Sequence, residues 1–189
     1  IPTMSVVQRE HLEEADRLRL IQQCGAGLEG VDIPAARRLN IRVANVPSDI
    51  CGNADSVAEL GIYLMIGLSR NFRQIAHSLA NRQTGIPPGR ALSGKTVGLI
   101  GLGGIGSALA RRLRNFDVHL IGIRRHEPQK AKEALGLEWA GTPAEMETLL
   151  KRSDYVALCL PLTSESRHLM GRQSFHAMKR DAYLINLSR

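Results

Sequence analysis

Aromatic residues and long apolar runs are both scarce in this sequence. It contains one Trp, three Tyr and three Phe among 189 residues, which is few for the stacking platforms on which single-stranded nucleic acids bind. The longest nearly uncharged run, residues 60–69, is about half as long as the ~20-residue span that crosses a bilayer. We therefore expect neither a nucleic-acid partner nor a membrane anchor.

Cysteine is equally sparse. Cys24, Cys51 and Cys159 are widely spaced and form no C-x-x-C pair, so the sequence predicts neither a disulfide framework nor a zinc site, and we expect no metal. A reducing cytoplasm fits this pattern best. Because the sequence opens on Ile1 and closes on the apolar stretch "AYLINLSR", we expect it to be a piece of a longer chain, truncated at both ends.

Basic residues, by contrast, are in excess. Lys and Arg number 25 against 18 Asp and Glu, which gives a net charge of +7 and favours phosphate-bearing partners. A dinucleotide is one such partner, and nucleic acid is another. Several arginines occur in adjacent pairs, at 37–38, 111–112 and 124–125, and for any one pair a solvated surface is the simplest interpretation.

The order of apolar and amphipathic segments predicts parallel βαβ units. A strand at 18–25, a helix at 33–40 and a strand at 41–47 form a first, small α/β unit. After the breaker "TGIPPGRALSG", strands alternate with helices in the order 96–100, 104–116, 118–123, 143–153, 155–161, 172–179 and 182–188. We predict a doubly wound α/β sheet in this second part.

The segment between these two parts predicts one long helix. Ser56 and Glu59 have the spacing of a capping box, so we place the start of the helix there. Apolar residues then follow at helical intervals, which indicates a buried face, and the pattern continues in a more polar register up to the prolines: Val57, Leu60, Leu64, Leu68, Phe72, Ile75 and Leu79.

A glycine-rich turn follows the strand at 96–100. In "GLGGIG", Gly101, Gly103 and Gly106 match G-x-G-x-x-G, and the match lies between a predicted strand and a predicted helix, as dinucleotide binding requires. Gly101 permits a tight turn, Gly103 lets the backbone approach a pyrophosphate, and Gly106 lets the helix pack closely on the strand. The helix would then direct its first N–H groups at the diphosphate. A glycine turn without a ligand is the alternative.

Two arginines stand where a dinucleotide-binding sheet usually presents an acid. That acid binds the ribose hydroxyls about 20 residues after the first glycine, and Arg124 follows Gly101 by 23 positions. An arginine can instead donate two hydrogen bonds to a phosphate. We interpret Arg124, assisted by Arg125, as a clamp for a 2′-phosphate, which predicts NADP as the cofactor and makes NAD the less favoured one.

Four ordered stretches closely resemble the D-isomer-specific 2-hydroxyacid dehydrogenase family: "GNADSVAELGIYLMIGLSRN", "LSGKTVGLIGLGGIGSALARRL", "SDYVALCLPLTSESRHLM" and "MKRDAYLINLSR". The resemblance is closest to the branch of NADPH-using glyoxylate and hydroxypyruvate reductases. It implies part of a flavodoxin-like substrate domain at 1–52, a Rossmann coenzyme domain with its leading helix at 53–189, and a homodimer formed through the coenzyme domain.

The resemblance also assigns site residues. It implies that the backbone N–H groups of Ala26 and Gly27 hold the substrate carboxylate, and that Gly104 and Ile105 contact the pyrophosphate. By the same resemblance, Pro161 and Ser166 border the ribose and adenine, and Leu187 and Ser188 lie near the nicotinamide. These assignments come from matching motifs only.

Arg189 matches the catalytic arginine of the family. Hydride reduction of a 2-oxo acid needs a fixed cation that pairs with the carboxylate and polarises the ketone, and a guanidinium can do both. The resemblance further implies a proton-donating histidine oriented by a glutamate. The six histidines of this sequence match neither position, and we expect both residues after the point where the sequence ends.

Two other functions remain compatible with the sequence. One is a non-catalytic, dinucleotide-sensing binding protein, similar to the corepressors that share this fold, which Arg189 alone does not exclude. The other is a methyltransferase or a nucleic-acid-binding domain built on the same glycine turn. The arginines at 124–125 argue against the methyltransferase, and the scarcity of aromatic residues argues against the nucleic-acid-binding domain.

Overall fold

The computed structural model describes residues 2, 5–47 and 51–188. The chain divides into two compact units, Ile1–Asn53 and Ala54–Arg189. Among the described residues, no helix is both long and apolar enough to cross a membrane.

The first unit contains a small parallel sheet. Its elements are α1 (Arg9–Glu13), β1 (Leu20–Gln22), α2 (Ile33–Arg38) and β2 (Arg42–Ala44), and β1 pairs in parallel with β2. The carboxylate of Asp32 caps α2 by accepting a hydrogen bond from the Ala35 N–H at 2.9 Å. This confirms the predicted strand–helix–strand order, although each strand is shorter than its apolar pattern suggested.

The second unit is built on a five-stranded parallel sheet. Its elements are α3 (Asn53–Ser69), α4 (Phe72–Ala80), β3 (Thr96–Ile100), α5 (Gly104–Leu113), β4 (His119–Ile123), α6 (Pro128–Leu135), β5 (Trp139–Gly141), α7 (Met146–Arg152), β6 (Tyr155–Leu158), α8 (Arg172–Ala177) and β7 (Tyr183–Asn186). Two short 3₁₀ helices follow α5 and precede α7. The strands lie in the order β5-β4-β3-β6-β7, which reverses direction between β3 and β6, so the sheet is doubly wound, as predicted.

The sequence analysis did not predict two elements of this unit. The helix α6 and the edge strand β5 lie between the predicted strand at 118–123 and the predicted helix at 143–153. The helix has a short, mostly polar sequence in which only Ala131 and Leu135 are buried, and the strand has only three residues. Gly136 ends α6 in the left-handed conformation, at φ 61°, as glycine commonly does after a helix.

The prediction of one long helix from Ser56 was wrong in its start and its continuity, and only partly right in its buried face. The helix α3 begins at Asn53, so Ser56 lies inside it and is not a cap. It ends at Ser69, and Asn71, in the left-handed region at φ 53° and ψ 44°, separates it from α4. Asparagine tolerates this conformation better than most residues, and this interrupts the helix.

The fully buried residues of α3 are mainly small. Of the apolar residues predicted to be buried, Val57 and Leu64 are partly buried against the core, whereas Leu60 and Leu68 are exposed. Ala54, Ala58, Gly61, Met65 and Ser69 are buried. A Cβ on Gly61 would lie 2.8 Å from Leu187 Cδ1, so the absence of a side chain allows this close packing. Six large apolar side chains are exposed on α3, on α4 and just after them: Leu60, Tyr63, Leu68, Phe72, Leu79 and Ile86.

Asp154 joins the beginnings of β3 and β6, at the amino edge of the sheet. Its carboxylate accepts hydrogen bonds from the Thr96 N–H at 2.8 Å and from Lys179 Nζ at 2.8 Å. Burial alone would raise the pKa of Asp154, but the hydrogen bonds from Lys179 and Thr96 hold it below its ordinary value. The ionised carboxylate therefore stabilises the packing of these two strands.

Candidate functional site

The candidate site lies at the carboxyl edge of the five-stranded sheet. The last residues of its strands are in register there: Ile100 of β3 is opposite both Ile123 of β4 and Leu158 of β6, and Leu158 is opposite Asn186 of β7. The loops after these four strands therefore begin side by side. In open parallel sheets, ligands bind at this edge, at the point where the strand order reverses.

The three motif glycines have different surroundings after β3. Gly101 has φ 98°, and a Cβ there would lie 2.7 Å from the Cys159 carbonyl oxygen. A Cβ on Gly106 would lie 2.0 Å from the Gly101 carbonyl oxygen, whereas a Cβ on Gly103 would meet nothing within 4 Å. Two of the glycines are thus required by the packing of the protein itself, and Gly103 borders open space where a ligand backbone could approach.

The start of α5 provides hydrogen-bond donors beside this open space. The N–H of Ser107 donates to the Gly103 carbonyl at 2.8 Å, and the N–H groups of Gly104, Ile105 and Gly106 precede this first helical bond. Such N–H groups have no acceptor within their own helix and attract anions. Ser107 Oγ also donates to the Leu102 carbonyl at 3.1 Å, which fixes the loop. The geometry therefore fits a pyrophosphate.

Arg124 and Arg125 follow β4, but their environments differ. Arg124 is half-buried, and its N–H donates to the Gly141 carbonyl at 3.0 Å, which extends the pairing of β4 with β5. Within 2, 5–47 and 51–188, no carboxylate forms an ion pair with the Arg124 guanidinium. Arg125 is exposed and forms an ion pair with Glu165, in the loop after β6.

The loop after β6 carries Pro161 and Ser166 in a hydrogen-bonded turn. Ser166 Oγ donates to the Pro161 carbonyl at 2.7 Å and accepts from the Thr163 N–H at 2.8 Å. The N–H of Ser166 in turn donates to Thr163 Oγ1 at 3.2 Å. The Ser166 hydroxyl thus fixes the loop, and the exposed Pro161 borders the same edge of the sheet as the glycine turn.

Leu187 and Ser188 follow β7, next to the loop after β6. Leu187 is buried, with its side chain in the core, so it would contribute to a ligand site mainly through its backbone. Ser188 Oγ accepts from the Leu160 N–H at 3.0 Å and donates to the Leu158 carbonyl at 3.2 Å. This serine ties the ends of β6 and β7 together. Arg189, the predicted catalytic residue, lies outside the described residues.

In the first unit, Ala26 and Gly27 lie in the bend after β1. Asn45 Nδ2 donates to the Ala26 carbonyl at 2.7 Å, and the Val46 N–H donates to the Gly25 carbonyl at 3.0 Å. These bonds fix the carbonyl groups of Gly25 and Ala26. No described residue accepts a hydrogen bond from the N–H of Ala26 or Gly27, so both remain available to an anion.

Cys159, directly after β6, is a structural residue. It is buried, and burial raises the pKa of its thiol to about 12. The thiol therefore stays protonated at neutral pH and is a poor nucleophile. Cys159 contributes to the site through its carbonyl oxygen, which packs against Gly101.

The family comparison agrees with this geometry. Residues 62–189 match the model of the D-isomer specific 2-hydroxyacid dehydrogenase NAD binding domain. The chain belongs to this family. The matched region includes the whole parallel sheet, the glycine turn and Arg124, so the five-stranded unit of this family member is a dinucleotide-binding domain of the Rossmann type.

Individual relatives of this dehydrogenase-family chain differ in their reported reactions. It is 35% identical to a D-3-phosphoglycerate dehydrogenase of Methanocaldococcus jannaschii, over 97% of this chain and 34% of that protein. It is 34% identical to a glyoxylate reductase of Thermococcus litoralis, over 97% of this chain and 56% of that protein. The chain therefore spans only about a third to just over half of the length of these relatives.

A solved structure shows the same fold with a cofactor bound. The NAD-dependent formate dehydrogenase of Staphylococcus aureus, in complex with NAD, matches with a TM-score of 0.85 and 27% identity, over 100% of this chain and 56% of that one. The fold match extends through both units of the chain. It supports nicotinamide dinucleotide binding and leaves the choice between NAD and NADP to the residues of this chain.

The sequence predictions missed one contact at the site and one outside it. They did not identify Glu165 as the partner of Arg125, because only the sheet order places the loops after β4 and β6 on opposite sides of β3. They also assigned Arg112 to solvent, whereas the guanidinium of Arg112 is paired with Asp55 at 2.8 Å and with Glu59 at 3.2 Å. For the ion pair between Arg125 and Glu165, the only signal in the sequence was an acidic residue in the segment after the predicted strand at 155–161.

Proposed function

We propose that the chain is part of an NADP-dependent reductase that transfers a hydride between NADP(H) and a small 2-oxo or 2-hydroxy acid, such as glyoxylate or hydroxypyruvate. The observation that carries the proposal is Arg124 at the end of β4, half-buried and without an ion-pair partner among the described residues. A carboxylate there would accept the ribose hydroxyls of NAD and repel a 2′-phosphate, whereas a guanidinium attracts that phosphate.

In this proposal the second unit is the coenzyme domain. The glycine turn and the start of α5 hold the pyrophosphate through Gly103, Gly104 and Ile105, and the loop after β6 borders the adenosine. When bound, the nicotinamide cofactor supplies or accepts the hydride. The backbone of Leu187 and Ser188 would orient its nicotinamide end, because both follow β7 at the same edge of the sheet.

The first unit would belong to the substrate domain. The N–H groups of Ala26 and Gly27 would bind the substrate carboxylate, and Arg189 would pair with it and polarise the carbonyl to be reduced. The similarity to a glyoxylate reductase supports a small 2-oxo acid as the substrate. The small, odd number of cysteines suits a reducing cytoplasm.

Titration of the 189-residue protein with NADPH and with NADH tests the cofactor proposal. We expect tighter binding of NADPH, followed by nicotinamide fluorescence, because only NADPH offers the 2′-phosphate to Arg124. Salt screens exposed charge pairs, so the advantage of NADPH should shrink when the ionic strength is raised. Tighter binding of NADH by the unmodified protein would contradict the proposal.

Arg189→Lys tests the catalytic assignment in the complete protein. Lysine keeps the charge but loses the bidentate fork, so we expect kcat/KM for glyoxylate to fall roughly 100-fold, about 3 kcal/mol of transition-state stabilisation. Cofactor affinity should not change. Arg180→Lys, an exposed arginine beyond α8, is the matched control, and unchanged kinetics in Arg189→Lys would place the substrate cation elsewhere.

We also propose that the chain forms a homodimer through the exposed apolar surface of α3 and α4. The ring centroids of Tyr63 and Phe72 lie 6.2 Å apart, and both side chains are exposed. Contiguous exposed apolar side chains mark interaction surfaces. A second copy is the partner that the family resemblance implies.

Sedimentation velocity tests this assembly. We expect about twice the 20.7 kDa mass of one chain, and a shift to one chain mass in Tyr63→Asp, because a charge buried without a partner opposes association. Leu39→Asp, which alters an exposed leucine of the first unit, should leave the mass unchanged. A dimer that survives Tyr63→Asp would place the interface on another surface.

A further inference from the structure

The ion pair between Arg125 and Glu165 spans the carboxyl end of β3. Arg125 follows β4 and Glu165 follows β6, and β3 lies between these two strands in the sheet. Neighbouring strands are about 4.8 Å apart, so the two side chains reach over the edge from which the glycine turn emerges. A dinucleotide bound at that turn would lie beside this pair.

Glu165 belongs to a fixed part of the loop. The neighbouring Thr163 and Ser166 exchange hydrogen bonds, with the Thr163 N–H donating to Ser166 Oγ at 2.8 Å and the Ser166 N–H donating to Thr163 Oγ1 at 3.2 Å. The carboxylate of Glu165 is therefore presented from an ordered turn, and its side chain is 68% exposed. It can form or release the ion pair without disturbing the core.

The two adjacent arginines are consequently not equivalent. Arg124 has no carboxylate partner among the described residues, whereas Arg125 already has one. A 2′-phosphate that used both arginines would have to displace Glu165 and would also experience the repulsion of its negative charge. NAD, which has hydroxyls only, would not incur this cost.

We propose that Glu165 determines cofactor specificity by competing with the 2′-phosphate of NADP for Arg125. It lowers the preference for NADP over NAD that Arg124 establishes, so the protein retains affinity for both cofactors. This inference rests on the proposed NADP function. It assigns a role to a residue whose ion pair, among the described residues, is with Arg125 and not with Arg124.

Glu165→Gln tests the competition, with NADPH and NADH titrated separately. Exposed ion pairs are weak, generally below about 1 kcal/mol, so we expect NADPH to bind roughly threefold to fivefold more tightly and NADH to bind as before. Glu138→Gln is the matched control: it removes the same charge from an exposed carboxylate that is hydrogen-bonded to His119, at the amino edge of the sheet. It should leave both affinities unchanged.

A double-mutant cycle isolates Arg125 as the group for which Glu165 competes. In an Arg125→Ala background, Glu165→Gln should no longer tighten NADPH binding. If it still does so, the effect is general charge repulsion and the competition is refuted. Equal changes for NADPH and NADH in Glu165→Gln would refute it as well, because Glu165 would then act on the shared part of the cofactor.

The same titrations separate this inference from the proposed function. If the unmodified protein prefers NADPH and Arg124→Ala abolishes that preference, but Glu165→Gln leaves the preference unchanged, only the inference about Glu165 fails. If neither the unmodified protein nor Arg124→Ala discriminates between the cofactors, the NADP proposal fails, and the role of Glu165 fails with it.

Discussion

Gly106→Ala is expected to lower the free energy of unfolding by about 3 kcal/mol, the upper end of the usual cost of overpacking. The new Cβ would lie 2.0 Å from the Gly101 carbonyl oxygen and 3.0 Å from its carbonyl carbon. Both atoms belong to the backbone, so no side chain can rotate to relieve the overlap. The helix α5 would have to move away from β3.

Gly103→Ala is the matched variant, since a Cβ there meets nothing within 4 Å and Gly103 has an ordinary φ of −79°. We expect unchanged stability but at least tenfold weaker NADPH binding, because a methyl group at Gly103 would keep the pyrophosphate from the backbone. Urea unfolding and NADPH titration of both variants separate packing from ligand contact. Equal stability of Gly106→Ala and the unmodified protein would contradict the described packing of α5.

The double change Arg124→Asp, Arg125→Ala is expected to invert the cofactor preference. Hydrogen bonds to a charged group contribute about 1.5–3 kcal/mol each, so the loss of one or two should weaken NADP binding by roughly tenfold to a thousandfold. The new carboxylate would also repel the 2′-phosphate and accept the ribose hydroxyls of NAD. NADH should therefore bind more tightly than NADPH.

The control for this double change is Arg37→Asp, Arg38→Ala. These two arginines are adjacent and exposed on α2 in the first unit, so the control alters the net charge equally and leaves the site intact. We expect it to retain the preference of the unmodified protein. If both double variants bind the two cofactors in the original ratio, Arg124 and Arg125 are ordinary surface charges.

The glycine turn and its strands were predictable because each follows from local chemistry. Local sequence largely determines the structure of residues 96–113. They comprise a five-residue apolar strand, a turn that requires glycine and a helix with a buried face. The same reasoning failed at α3, where Leu60 and Leu68 are exposed and Ala58 and Gly61 are buried. The buried face there is decided by how closely a neighbour such as Leu187 approaches, which periodicity does not show.

Contacts between distant loops could not be predicted from the sequence, for a different reason. Arg125 and Glu165 are separated by 40 positions, and nothing local indicates that they meet. The interruption at Asn71 is also not marked by glycine or proline, since a left-handed asparagine separates α3 from α4 in the middle of a continuous helical pattern. Both features depend on tertiary structure that local propensity does not determine.

The carboxylate of Asp154 makes the amino edge of the sheet sensitive to acid. Because its pKa in the folded chain lies below its ordinary value, its contribution to stability is present above the unfolded-state pKa of about 3.9 and is lost as the pH falls through the lower, folded value. Protonation would release Lys179 and weaken the bond from Thr96 at the amino edge. Acid should therefore loosen the junction of β3 and β6 at the end farthest from the glycine turn.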